Sequence, residues 1–201
     1  MVILGLTGSI GMGKSTTAAM FQALGVPVHD SDATVHLLYS GAAAPLIEAA
    51  FPGVVEAGTV NRTLLGQRVL GDAGAMKRLE AIVHPLVRGE EQAFLKAAAT
   101  SRAPVAVIDI PLLFETKGES RVDVIVVVSA PPAIQRQRVL ARPGMTKERF
   151  QQILSRQMPD REKRGRAHFV VDTGRGLDHA QRQVRDILRA IAAMTGAIRS
   201  P

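Results

Sequence analysis

Two stretches of this chain, "PVAVIDI" at residues 104–110 and "VDVIVVV" at 122–128, are apolar almost throughout. A strand with one wet face alternates apolar and polar side chains. These two do not alternate, so both of their faces are buried, which is the condition of strands in a parallel sheet covered by helices on either side. Three shorter apolar stretches join them: residues 2–7, "VPVHD" at 26–30 and "FVVD" at 169–172. Helical patterns lie between the strands, and this alternation defines an α/β domain with a doubly wound, five-stranded parallel sheet.

The helices have readable ends. One runs over about 13–24 and stops at Gly25, a C-terminal cap position. "SDATVHLLYS" opens the next, with Ser31 or Asp32 near its N-cap. Residues 42–99 are alanine-rich and helical, with turns at Pro52-Gly53 and near Gly71. That span exceeds a single crossover helix and predicts a helical subdomain. The last helix covers about 177–194 and places Val184, Ile187, Leu188 and Ile191 on one face.

Between the first strand and the first helix stands "GLTGSIGMGKST", with the spacing Gly8-x-x-x-x-Gly13-Lys14-Ser15. Strand before and helix after is the context that makes this spacing a phosphate-binding loop. Backbone N–H groups of Gly11, Met12, Gly13, Lys14, Ser15 and Thr16 would wrap a phosphate at a helix N-terminus. Lys14 would reach the β- and γ-phosphates, and the Ser15 hydroxyl would hold Mg²⁺.

"HDSD" carries Asp30 and Asp32 at a strand-to-helix turn. One reading is a carboxylate that takes the proton of an acceptor hydroxyl. The other is a plain helix cap. Asn61 reads as an N-cap, which puts the cation Arg62 in a first turn where the macrodipole disfavours it; it meets either an anion or only solvent. His84-Pro85 interrupts a helical pattern and predicts a bend, with His84 facing a ligand or a local hydrogen-bond partner. "DIPLLFE" leaves the third strand with Asp109 as a candidate Mg²⁺ acid, and Leu112, Leu113 and Phe114 either line a pocket or pack under the helices. "QRQRVLARPGMTKERFQQILSRQ" reads as two helices hinged at Arg142-Pro143-Gly144, with Arg138 and Arg142 placed to close over a nucleotide.

Composition narrows the function. The chain has 201 residues, the size of one domain, and no cysteine, which excludes disulfides and thiolate metal sites. It has no secretory signal pattern and no 18-residue apolar stretch, so a cytoplasmic protein without a membrane span is expected. Residues 131–166 hold ten basic residues against three acids, an excess equal to the whole net charge of +7. Aromatic residues make up only 3%, too few to interleave as stacking platforms, so nucleic acid is not the expected partner. The guanine-specifying N-K-x-D run is absent, which argues against a GTPase switch.

Together "LTGSIGMGKST", "HDSDATVH", "VNRTLLGQRV", "LEAIVHPLV", "PLLFE" and "ILSRQ" resemble, in that order and over nearly the whole chain, the motifs of the bacterial single-domain dephospho-CoA kinases. The resemblance implies a phosphate-loop kinase fold with a core over about 1–30, 104–134 and 167–201, a helical substrate subdomain over about 31–100 and a lid over about 135–160. It implies transfer of the ATP γ-phosphate, with Mg²⁺, to the ribose 3′-hydroxyl of dephospho-CoA. Asp32 falls at the position of the base, with Lys14 and Arg138 also catalytic. The loop residues and Arg142 would bind ATP; Asp30, Arg62, His84, Leu113, Phe114 and Glu115 would bind the acceptor. Gln135 matches the lid glutamine. The family often has an acidic residue where Pro143 stands and usually an asparagine where Thr173 stands. A monomer is expected. The competing reading is another small-molecule or nucleoside kinase with a hydroxyl acceptor.

Overall fold

The computed structural model describes residues 1–199; the last two residues of the expected core, 200–201, lie outside it. In chain order the elements are β1 (Val2–Thr7), α1 (Lys14–Ala23), β2 (Val28–Asp30), α2 (Ser31–Tyr39), α3 (Ala44–Ala50), β3 (Val55–Glu56), β4 (Thr59–Val60), α4 (Arg62–Val69) and α5 (Ala73–Thr100). They continue with β5 (Val105–Asp109), β6 (Val124–Ser129), α6 (Pro132–Leu140), α7 (Lys147–Ser155), α8 (Asp160–Gly165), β7 (Phe169–Asp172) and α9 (Leu177–Arg199). The chain divides into two compact units, one made of Met1–His29 with the chain from Ala98 onward, the other of Asp30–Ala97.

The first unit is built on a five-stranded sheet of order β2-β5-β1-β6-β7. The two most apolar strands, β5 and β6, flank the strand that leads into the phosphate loop. Val107 of β5 lies beside Leu4 of β1, and Val124 of β6 lies on its other side, in parallel register. Every residue of β5 and β6 is buried, as their apolar pattern requires, including the polar residues that end them, Asp109 and Ser129. Phe21 of α1 and Val184, Ile187 and Ile191 of α9 are buried against Leu4, Leu6, Val107 and Val126. Parallel strands end together, so the loops after β1, β5, β6 and β7 emerge at one end of the sheet, where ligands of open α/β sheets bind.

The second unit has its own core of Leu38, Ile47, Phe51, Val54, Val60, Leu65, Leu79 and Val83. It differs from the sequence reading in three places. A small antiparallel hairpin, β3–β4, interrupts the helical region, pairing Val55 with Val60. Its strands are two residues each, too short to show alternation, and its turn is Ala57-Gly58, both at positive φ (48° and 79°). The N-cap of α2 is neither Ser31 nor Asp32 but Asp30, whose carboxylate accepts from Ala33 N at 2.9 Å. The helix begins one residue earlier than its composition suggests because the last residue of β2 is itself a good cap. Finally, Pro85 lies inside α5, which stays helical on both sides of it. The proline removes one N–H from a helix of 28 residues, and Leu79 and Val83 before it remain buried in the core.

Candidate active site

The loop between β1 and α1 is a backbone cradle. Gly11 and Gly13 hold φ of 78° and 94°, which residues with a Cβ rarely adopt. A Cβ on Gly11 would stand 2.4 Å from Val139 Cγ2, and one on Gly8 would stand 2.7 Å from Val128 O. The glycines are therefore fixed by close approach as well as by dihedral. Gly13 is the N-cap of α1 and offers no side-chain acceptor. The first N–H groups of that helix face outward with the positive end of its dipole, the arrangement that suits an anion. Lys14 is tied to the buried Asp109 at the end of β5, Nζ to Oδ1 at 2.5 Å. The Ser15 and Thr16 side chains are exposed.

Beside the loop lies a cavity of about 340 Å³ lined by Gly11, Gly13, Thr16, Arg138, Arg142, Thr173 and Leu177, among others. Both arginines that the sequence singled out therefore face one space with the loop. Arg138, on α6, donates from Nη1 to Thr173 Oγ1 and from Nη2 to Thr173 O, both at 2.9 Å. Thr173 Oγ1 in turn donates to Met12 O at 2.7 Å. One buried hydroxyl thus links the loop, the guanidinium and the end of β7. A hydroxyl both accepts and donates, and that of Thr173 does both here. Arg142 is exposed in the turn between α6 and α7, where Gly144 has φ 69°.

After β5, Leu113 and Phe114 are buried, and Arg166 lies 5.6 Å over the Phe114 ring. Glu115 pairs with Lys163 of α8 at 2.8 Å and accepts from Met158 N at 2.8 Å. Lys163 has no exposed side-chain surface. Burial pushes the Glu115 carboxyl up, but the Lys163 ammonium and the Met158 N–H more than offset this, and the group sits below the ordinary glutamate value.

In the second unit, Asp32 occupies the first turn of α2 with an exposed carboxylate, and no protein group among the described residues pairs with it. The capping role that competed for Asp32 is filled by Asp30. Asn61 caps α4, accepting from Thr63 N and Leu64 N at 3.0 and 3.1 Å. Arg62 lies 5.3 Å over the Tyr39 ring. Burial raises the Tyr39 phenol, and the Arg62 charge partly opposes that. His84 is exposed on α5.

Two features of the site leave no mark in the amino-acid pattern. Lys163 sits in "DREKRGR" among solvent-facing charges, and nothing in that run marks it as buried. Gln157 closes the quoted "ILSRQ" yet touches the phosphate loop itself, its Oε1 accepting from Ile10 N at 3.1 Å.

A glycine cradle at the end of a central parallel strand, a lysine held over an uncapped helix and two arginines around one cavity define a phosphate-loop kinase. The dephospho-CoA kinase family model matches residues 2–178. A dephospho-CoA kinase from Mesorhizobium japonicum is 61% identical over 197 residues, which covers 98% of this chain and 100% of the relative. The crystal structure of TT1252 from Thermus thermophilus superposes with a TM-score of 0.83 at 34% identity, over 94% of this chain and 96% of that one. A dephospho-CoA kinase from Campylobacter jejuni shares the fold, with a TM-score of 0.64 at 21% identity over 94% of this chain and 96% of that one. The chain belongs to the dephospho-CoA kinase family. No helix among the described residues is long and apolar enough to cross a membrane.

Proposed function

We infer that this chain transfers the γ-phosphate of ATP to the ribose 3′-hydroxyl of dephospho-CoA, the last step of coenzyme A synthesis. The observation that carries the reading is the uncapped, glycine-cradled N-terminus of α1 with Lys14 beside it, in a chain of this family. The donor phosphates fit the cradle, where Gly11, Met12, Gly13, Lys14, Ser15 and Thr16 offer backbone N–H groups and a Cβ at Gly11 would collide with Val139 behind the loop. The exposed Ser15 hydroxyl at the start of α1 is the group that would hold Mg²⁺ accompanying ATP, which would supply charge neutralisation for the phosphates. Arg142 holds the nucleotide from the cavity wall.

The acceptor is a neutral secondary alcohol. Asp32, with a carboxylate not used in capping, takes its proton as the oxygen bonds to the γ-phosphorus and the bond to the bridging oxygen of ADP breaks. Lys14 and Arg138 balance the charge that spreads over the transferring group. Asp109 holds the Lys14 ammonium in place. Asp30 fixes the turn that presents Asp32, and Arg62 and His84, both exposed, bind the acceptor's anionic part. Leu113, Phe114 and Glu115 form the packed backing of the acceptor segment. The protein acts in the cytoplasm as a monomer on small molecules.

ADP release measured across candidate alcohols tests the reading. Turnover is expected with dephospho-CoA, and its absence there with activity on another alcohol would assign a different small-molecule kinase. Arg138→Ala is expected to lower kcat about a hundredfold, the usual cost of losing one aimed donor, with a smaller change in the dephospho-CoA KM. Steady-state kinetics check this; an unchanged kcat would make the Thr173 contacts of Arg138 purely structural.

A further inference from the structure

Ile10 lies in the phosphate loop between Gly8 and Gly11, and side chains hold both of its backbone polar groups. Gln135 Nε2, from the buried side of α6, donates to Ile10 O at 2.8 Å. Ile10 N donates to Gln157 Oε1 at 3.1 Å, just beyond the end of α7. The α6–α7 hairpin thus grips the loop from both of its ends. The Gln157 side is itself anchored. The next residue, Met158, donates its N–H to Glu115 Oε1 at 2.8 Å, and Glu115 pairs with the fully buried Lys163. Two residues further on, Asp160 Oδ2 accepts from Ser129 Oγ at 2.8 Å, at the end of β6.

We propose that Gln157 is a positioning residue for nucleotide binding, which stiffens the phosphate loop by holding the Ile10 N–H outside the anion cradle. Each of the loop glycines at 8, 11 and 13 loses more conformational freedom on ordering than any other residue would there. Groups that hold it ordered before the phosphates arrive raise affinity by lowering that cost. Gln157 touches no reacting atom, so its effect falls on the binding of both ATP and ADP. It leaves the chemical step and the acceptor untouched.

The proposal rests on the loop being the nucleotide site. ADP binding by the parent protein with Mg²⁺, measured by calorimetry, tests that reading, and the ratio of variant to parent affinity tests the brace. Gln157→Met keeps length and removes the acceptor. It is expected to weaken ADP binding and raise the ATP KM about tenfold, with kcat at saturation and the dephospho-CoA KM within about twofold of the parent. Amide exchange at Ile10 in the nucleotide-free protein should rise with it. Arg156→Met, at the exposed neighbouring position, controls for general loosening of the segment. Parent-like ADP affinity in Gln157→Met, or an equal loss in Arg156→Met, would overturn the proposal.

Discussion

Asp32→Asn is expected to lower kcat about a thousandfold while the ATP KM stays within about twofold, within the range for removing a general base. The expectation comes from a division of labour between two aspartates. Asp30 caps α2 through Ala33 N, so the helix does not depend on Asp32 for its start. Asp32 is exposed and pairs with nothing among the described residues, so the amide disturbs no contact. Its loss of charge in a first turn costs about 0.5 kcal/mol, far too little to unfold a domain. What the amide cannot do is accept a proton. Asp30→Asn is the companion experiment, since asparagine caps as well as aspartate and should leave α2 intact. Near-normal turnover by Asp32→Asn would show that the acceptor hydroxyl is deprotonated elsewhere.

Lys163→Met should cost about 3 kcal/mol of stability, because removing one member of a buried ion pair strands the other. For a chain of this size that lowers Tm by roughly 6–12 °C. Glu115 keeps some exposure, 16% of its side chain, which holds the penalty toward the lower end. Exchanging both partners, Lys163→Met with Glu115→Gln, should recover most of the loss, since the amide still accepts from Met158 N and no charge remains. The pair also carries a pH signature. The Glu115 carboxyl lies below its ordinary 4.5 in the folded protein, so its contribution is complete above that value and fades as pH falls through the lower, folded one. The Tm of the parent should therefore drop more steeply than that of Lys163→Met as the solution is acidified below about pH 4.5. Equal Tm values at neutral pH would remove Lys163 from the list of structural residues.

The sheet could be read from β5 and β6 because burial on both faces leaves an apolar pattern that polar residues cannot imitate. The phosphate loop could be read because backbone geometry forces glycine at fixed spacing. Elements with neither constraint stayed hidden. The β3–β4 hairpin is four residues of strand, shorter than one alternation window. The cap at Asp30 escaped because two aspartates and a serine in four residues all have the chemistry to cap, and only the backbone decides among them. Lys163 and Gln157 act through single tertiary contacts across long sequence separations, 48 residues for Lys163 to Glu115 by numbering and 147 for Gln157 to Ile10. Pairings of that kind leave no periodic trace in a sequence.

The missing side-chain cap on α1 has a bearing on how this protein survives in a cell. With glycine at the N-cap, Gly13, the helix start gives up a few tenths of a kcal/mol relative to one with a capping side chain. A phosphate seated there supplies the acceptor, so the folded chain is completed by the molecule it consumes. Ligand that binds only the folded form adds stability as the logarithm of its concentration over Kd, about 2.7 kcal/mol at a hundredfold excess. The resistance of this chain to heat and proteolysis should thus follow the nucleotide supply around it. Starvation for nucleotide would then thin the enzyme's population as well as slow its turnover.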